Sequence, residues 1–220
     1  MITTVIFDLD GTLLYTLDDL KNSVNFALRM HGLPERTLSE VRKFVGNGVE
    51  LLIHRAVDGA FSESEEAHCL ETFKQHYAKN MNKLTKPYKG IPELVRNLLK
   101  LNYHIAIVSN KFDSAVKQLN EQYFDGMFPV AIGASDLVAK KPAPDSVYAA
   151  LSELGVTKDQ AVYVGDSEVD VLTAANAGIP CIGVTWGFRD ASVLETMGVW
   201  RMIDSPRQLL EVLDRRNQAC

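Results

Sequence analysis

Apolar positions in the first third of the chain recur mostly at helical spacing. A short run, Val5-Ile6-Phe7, stops at Asp8 with Gly11 just beyond, which reads as a buried strand and a turn. From Thr16 to His31, the residues Leu17, Leu20, Val24, Ala27 and Leu28 fall three and four apart and predict a helix, which Gly32-Leu33-Pro34 stops. Thr37-Leu38-Ser39-Glu40 and Ser62-Glu63-Ser64-Glu65 are capping-box patterns that open two further helices, the second running to about Asn80. Between them Gly46-Asn47-Gly48 interrupts the pattern and Val49 to Val57 resumes it. Residues 16 to about 80 therefore read as all-helical.

After Pro87-Tyr88-Lys89-Gly90 the pattern changes. Helical stretches (Glu93 to Leu101, Ser114 to Tyr123, Pro144 to Leu154, Val169 to Ala177) alternate with short apolar runs. Those runs are His104 to Val108, Val130 to Ile132, Ala161 to Val164 and Cys181 to Val184, and Ser205-Pro206 opens a last helix. Such alternation implies right-handed βαβ units and a parallel sheet covered on both faces. The expected fold is α/β: a doubly wound, Rossmann-like core with a helical cap inserted after the first strand. Its expected boundaries are residues 1–15 and 86–220 for the core and 16–85 for the cap.

Composition narrows the picture. With 46% apolar and 23% charged residues the chain is globular rather than disordered. A net charge of -5 argues against a nucleic-acid partner, which usually needs a basic patch. No apolar run approaches the ~18 residues of a membrane span, and the first residues lack the basic start of a signal peptide. Cys69, Cys181 and Cys220 are scattered and form no CxxC pair, as expected of reduced thiols in a cytoplasm.

Open α/β sheets bind ligands beyond the carboxyl ends of their strands, and those ends here are polar. The first carries Asp8-Leu9-Asp10-Gly11-Thr12, the next Ser109-Asn110-Lys111, then Lys140-Lys141-Pro142 follows a loop, and the fourth carries Gly165-Asp166-Ser167 with Asp170 beyond. A parallel sheet would gather Asp8, Asp10, Asp166 and Asp170 at one edge. Crowded carboxylates repel, a hard divalent cation relieves that cost, and an all-oxygen site suits Mg²⁺. Lysine and hydroxyl donors beside the metal suit a phosphoryl group, whose charge spreads over three equatorial oxygens.

These four motifs, in this order, resemble those of the haloacid dehalogenase-like superfamily of aspartate-nucleophile phosphatases, most closely its phosphoglycolate phosphatase branch. The resemblance covers nearly the whole chain, including the helical insertion. It implies Asp8 as nucleophile, Asp10 as general acid and base, Ser109 and Lys141 as phosphate partners, and Thr12 and Asn110 as phosphate-positioning residues. It implies Mg²⁺ held by Asp8, the main-chain carbonyl of Asp10, Asp166 and Asp170, the last directly or through water. Dehalogenating relatives lack an acid at Asp10, so this residue argues for phosphate chemistry. Pro142 disfavours a helical Lys141 and singles it out from Lys140. In the insertion, Gly46, Asn47 and Gly48 are the expected substrate loop, with Arg42 or Lys43 to meet a substrate carboxylate. Similar proteins usually place an acid where this chain has Tyr15.

The expected reaction is Mg²⁺-dependent hydrolysis of small phosphate monoesters, 2-phosphoglycolate first, by a monomer or homodimer. The alternatives are a sugar-phosphate mutase or a nucleotide or pyrophosphate phosphatase of the same superfamily. A receiver-type signalling module would be about half this length and would leave residues 16–80 unexplained.

Overall fold

The computed structural model describes residues 1–218; Cys220, one of the three thiols counted above, lies outside the described residues. In chain order the elements are β1 (Thr4–Phe7), β2 (Leu14–Tyr15), α1 (Leu17–Met30), α2 (Leu38–Phe44), α3 (Val49–Val57), α4 (Glu63–Asn80) and β3 (Lys86–Pro87). There follow α5 (Ile91–Lys100), β4 (His104–Phe112), α6 (Asp113–Phe124), β5 (Val130–Ala134), α7 (Asp145–Leu154) and β6 (Ala161–Gly165). The last are α8 (Glu168–Ala177), β7 (Cys181–Val184), α9 (Ala191–Thr196), β8 (Arg201–Ile203) and α10 (Pro206–Gln218). The chain forms two compact units, Met1–Leu14 with Pro87–Cys220, and Tyr15–Lys86.

The first unit is built on a six-stranded sheet in the order β5-β4-β1-β6-β7-β8, with every pairing parallel. The period-two alternation of a strand sends neighbouring side chains to opposite faces. Val5, Phe7, Ile105, Ile107, Val162 and Val164 thus pack in one layer with Leu94, Leu98 and Val116 of α5 and α6 and with Leu209 and Leu213 of α10. Ile6, Ala106, Val108 and Tyr163 pack in the other with Val147 and Leu151 of α7 and Ala174 of α8. Both faces are covered, as a doubly wound sheet requires. Each large apolar side chain fully buried this way contributes about 1.5–3 kcal/mol. β1 lies inside the sheet: its own connection runs to β4 on one side, while β6 on its other side connects onward to β7. The crevice between β1 and β6 is therefore the topological switch point where such sheets bind ligands.

In the second unit, α1, α3 and α4 have buried residues at three- and four-residue spacing, and α2 buries Val41. Both capping boxes form: the Thr37 hydroxyl accepts from the Glu40 amide and the Ser62 hydroxyl from the Glu65 amide, while each glutamate accepts from the cap. Asp19 in α1 is buried and accepts from the main-chain N–H groups of Leu84 and Thr85 at 2.9 and 2.8 Å, which fixes the returning chain.

Four elements differ from the sequence reading. The pair β2 and β3, two residues each, forms a separate sheet. The helix α9 and the edge strand β8 are too short and too mixed in polarity to stand out from a loop.

Candidate active site

The nucleophile candidate sits at the carboxyl end of the central strand. Asp8 follows β1, and its N–H donates to the Val164 carbonyl at 2.9 Å, so the sheet ladder itself fixes its backbone. The Lys141 ammonium donates to Asp8 Oδ1 and to Asp170 Oδ1, both at 2.7 Å, and to the Tyr163 hydroxyl at 2.9 Å. The lysine is almost fully buried, whereas Lys140 is exposed. Its main chain is clamped by the Asn110 side chain: the Lys141 N–H donates to Oδ1 at 2.7 Å and Nδ2 donates to the Lys141 carbonyl at 2.9 Å. The Lys141–Pro142 peptide is cis.

Asp166 follows β6 and is held from two sides. The Thr12 hydroxyl donates to Oδ1 at 3.1 Å, and the Phe188 N–H donates to Oδ2 at 2.6 Å. Backbone crowds it as well. A Cβ at Gly11, whose φ is +92°, would lie 2.4 Å from Asp166 Oδ2, and a Cβ at Gly187 would lie 2.2 Å from Asp166 Cβ. Only glycine fits either position. Asp170, in the first turn of α8, has no exposure. Its Oδ2 accepts from the Ser167 N–H at 3.0 Å and the Ser167 hydroxyl at 2.6 Å, and its Oδ1 takes Lys141.

Carboxylate oxygens of Asp8, Asp166 and Asp170 come within 4.8 Å of one another. Three buried carboxylates lie close together, two of them on one ammonium, and the crowding appears in the proton affinities of Asp8 and Asp166. Burial raises the Asp8 carboxyl well above its ordinary range; Lys141 opposes this, and Asp170 and Asp166 add to it. Burial and Asp170 push Asp166 up to about 7. Burial works against a charged Lys141, but Asp170 and Asp8 outweigh it and hold the ammonium above the ordinary lysine range. Buried, hard oxygen donors with surplus negative charge fit a divalent cation with oxygen coordination.

Asp10 stands apart from this cluster. Its carboxylate turns to Lys111, whose ammonium lies 2.9 Å from Oδ1 and 3.2 Å from Oδ2. Ser109 and Lys111 lie in the last part of β4, where the pairing with β5 shifts register between Val108 and Phe112. Irregular pairing of this kind re-aims side chains at a strand end. The Ser109 hydroxyl accepts from the Lys111 N–H at 3.2 Å.

The first unit thus brings together Asp8, Asp10, Thr12, Ser109, Asn110, Lys141, Asp166 and Asp170. The two expected to position phosphate bond to other site residues. Thr12 bonds to Asp166, and Asn110 bonds to the main chain of Lys141. Gly46, Asn47 and Gly48 belong to the second unit, in the turn between α2 and α3, with Gly48 capping α3. Four participants had no role in the sequence reading: Lys111, named there only as part of a polar strand end, and Tyr163, Gly187 and the Phe188 N–H. The hydroxyl of Tyr163, in the middle of an otherwise apolar strand, was the one available signal.

The family model described as haloacid dehalogenase-like hydrolase matches residues 5–184, from β1 through β7. The chain belongs to this family. A phosphoglycolate phosphatase of Pseudomonas putida is 34% identical over 212 residues, covering 94% of this chain and 78% of the relative. A phosphoglycolate phosphatase of Haemophilus influenzae is 33% identical over 216 residues, covering 94% of this chain and 96% of that one. The crystal structure of a protein from Lactobacillus delbrueckii subsp. bulgaricus, provisionally described as a phosphoglycolate phosphatase, superposes with a TM-score of 0.90 at 34% identity, covering 96% and 97% of the two chains. Within the hydrolase family the chain is similar to the phosphoglycolate phosphatase branch, as its four motifs imply.

Proposed function

We propose that this haloacid dehalogenase-like hydrolase is a phosphoric monoester hydrolase that works through an aspartyl-phosphate on Asp8, with 2-phosphoglycolate as the first candidate substrate. The observation that carries this reading is Lys141 Nζ seated between Asp8 and Asp170 within a buried three-carboxylate cluster. A lysine so placed keeps a nucleophilic carboxylate aimed and offers positive charge to an approaching phosphoryl group. Asp8 attacks phosphorus and the ester oxygen leaves. Asp10 protonates that oxygen, then takes a proton from the water that cleaves the acyl phosphate. Ser109 donates a hydrogen bond from its hydroxyl to a phosphoryl oxygen. Thr12 and the Phe188 N–H keep Asp166 in place, Asn110 keeps Lys141 in place, and Tyr163 supports the lysine from behind.

Asp8, Asp166 and the Asp10 carbonyl would hold Mg²⁺, with Asp170 joining them directly or through water. Bound there, the ion supplies positive charge that lets a dianionic ester approach carboxylates. The choice of 2-phosphoglycolate rests on the named relatives in P. putida and H. influenzae.

The test is phosphate release across small monoesters with Mg²⁺, run in parallel on Asp8→Asn. This change keeps the size of the side chain and removes the attacking charge. Turnover is expected to fall to background while the circular-dichroism spectrum is unchanged. A folded Asp8→Asn protein with normal turnover would refute the reading, and hexose-phosphate isomerisation without phosphate release would replace it with a mutase.

A further inference from the structure

Lys111 stands at the polar end of its strand in the sequence, but neither the motifs nor the resemblance assigns it a role. Its side chain is 3% exposed, it enters from β4, and its ammonium lies within hydrogen-bonding distance of both oxygens of Asp10, 101 residues away in sequence. Its own N–H meanwhile donates to the Ser109 hydroxyl. One residue therefore grips two of the groups assigned to the reaction, through its side chain and through its main chain. Burying an ammonium is costly unless it is paired, and Lys111 is paired with the one aspartate of the DxD motif that stays out of the three-carboxylate cluster.

We propose that Lys111 is a positioning residue for Asp10: it holds the carboxyl group away from Asp8, Asp166 and Asp170 and presents it to the departing ester oxygen. This rests on the reading of Asp10 as general acid. Asp10 is two residues from Asp8, and three negative neighbours would otherwise repel it to wherever solvent allowed. A two-oxygen contact from a rigid strand replaces that freedom with one orientation. General acids contribute only when placed within hydrogen-bond reach of the atom they protonate. Lys111 is then needed most when the leaving group is an alkoxide that must be protonated. It is needed least when the leaving group is a stable phenolate.

The test compares kcat/KM for 2-phosphoglycolate and for p-nitrophenyl phosphate in Lys111→Met, Lys111→Arg, Asp10→Asn and the Lys111→Met/Asp10→Asn double variant. kcat/KM is chosen because it reports the steps through departure of the leaving group. Lys111→Met is expected to lose about 10²-fold on the alkyl ester, the size of effect that misplacing a reacting group by about 1 Å produces, and far less on the aryl ester. Lys111→Arg, which keeps the charge, is expected to restore most of the alkyl-ester activity. The double variant is expected to be no worse than Asp10→Asn alone. Three results overturn the proposal. One is equal losses on both esters in a Lys111→Met protein with a native near-ultraviolet spectrum. Another is a further loss when Lys111→Met is added to Asp10→Asn. The last is a Lys111→Arg protein that folds yet loses the alkyl and aryl activities equally, a result that stands even if Lys111→Met does not fold. Failure of the underlying reading has its own signature: Asp10→Asn alone would then treat the two esters alike.

Discussion

Lys141 and Lys140 are adjacent in sequence and opposite in environment. Lys141 donates to Asp8, Asp170 and Tyr163 from a buried position; Lys140 points to solvent. Removing the first strands two buried carboxylates, a loss of roughly 3–5 kcal/mol when one partner of a buried pair is deleted. It also removes the charge that faces the phosphoryl group, worth about 10²–10³ in kcat at comparable positions. Lys141→Ala should therefore be both nearly inactive and measurably less stable in urea, whereas Lys140→Ala should match the parent within about 0.5 kcal/mol and keep its turnover. The reverse order of damage would mean that the wrong lysine has been assigned. At this scale the motifs were legible because chemistry is written in residue type: paired aspartates, a hydroxyl and a lysine before proline. The place of Lys111 at a polar strand end was legible, but its role was not. Its meaning lies in a contact with Asp10 that only the pairing of β4 with β1 creates.

The helices and central strands were read from periodicity, and their ends from Thr37, Ser62 and Pro206, because burial and capping act locally. The site's remaining support comes from turns, whose purpose depends on what lies opposite them. The turn after β1 and the loop after β7 close on Asp166 with no room to spare, and glycine at both 11 and 187 is what permits it. Gly11→Ala would need a left-handed backbone at φ +92° as well as a displaced carboxylate, and strain of that kind costs about 1–3 kcal/mol. Gly187→Ala meets the side chain of Asp166 directly. Both variants are expected to raise the Mg²⁺ concentration needed for half-maximal activity, since each moves a proposed ligand. An unchanged Mg²⁺ midpoint in both would remove Asp166 from the metal site. Nothing in Gly187-Phe188 marks it as functional in one dimension, which explains why the loop passed unnoticed.

For the molecule as a whole, the acidic cluster sets a pH dependence whose sign is the opposite of the usual surface carboxylate. Burial and Asp170 raise the Asp166 carboxyl from 3.8 to about 7, so the folded chain holds a proton there that the unfolded chain has released. Stability from this group is full below about 4 and declines as pH rises towards about 7; Asp8 shifts in the same direction, also through burial. In EDTA, the advantage of the parent protein over Asp166→Asn in melting temperature is expected to shrink across that window. A bound divalent cation should reverse the trend, because it favours the deprotonated carboxylates, and its stabilising effect should be greatest at the upper end. A difference between the two proteins that grows with pH in EDTA would contradict the assigned shift.

The place of β1 at the centre of its sheet also bears on how the chain is made. Thr4 pairs with His104 on one side and Ala161 on the other, so β1, which precedes both neighbours in the chain, does not have both until about 160 residues have left the ribosome. The intervening helices are closed by near-sequence contacts and form on local timescales, while the central strand waits for distant ones that carry the larger loop-closure entropy. The apolar segment Thr4–Phe7 stays without its full set of strand partners over that interval, and the proposed nucleophile at its end is among the last groups to find its surroundings. A nascent chain released before Asp170 emerges would carry Asp8 without the lysine clamp complete, so under the proposed mechanism such a fragment is expected to lack esterase activity.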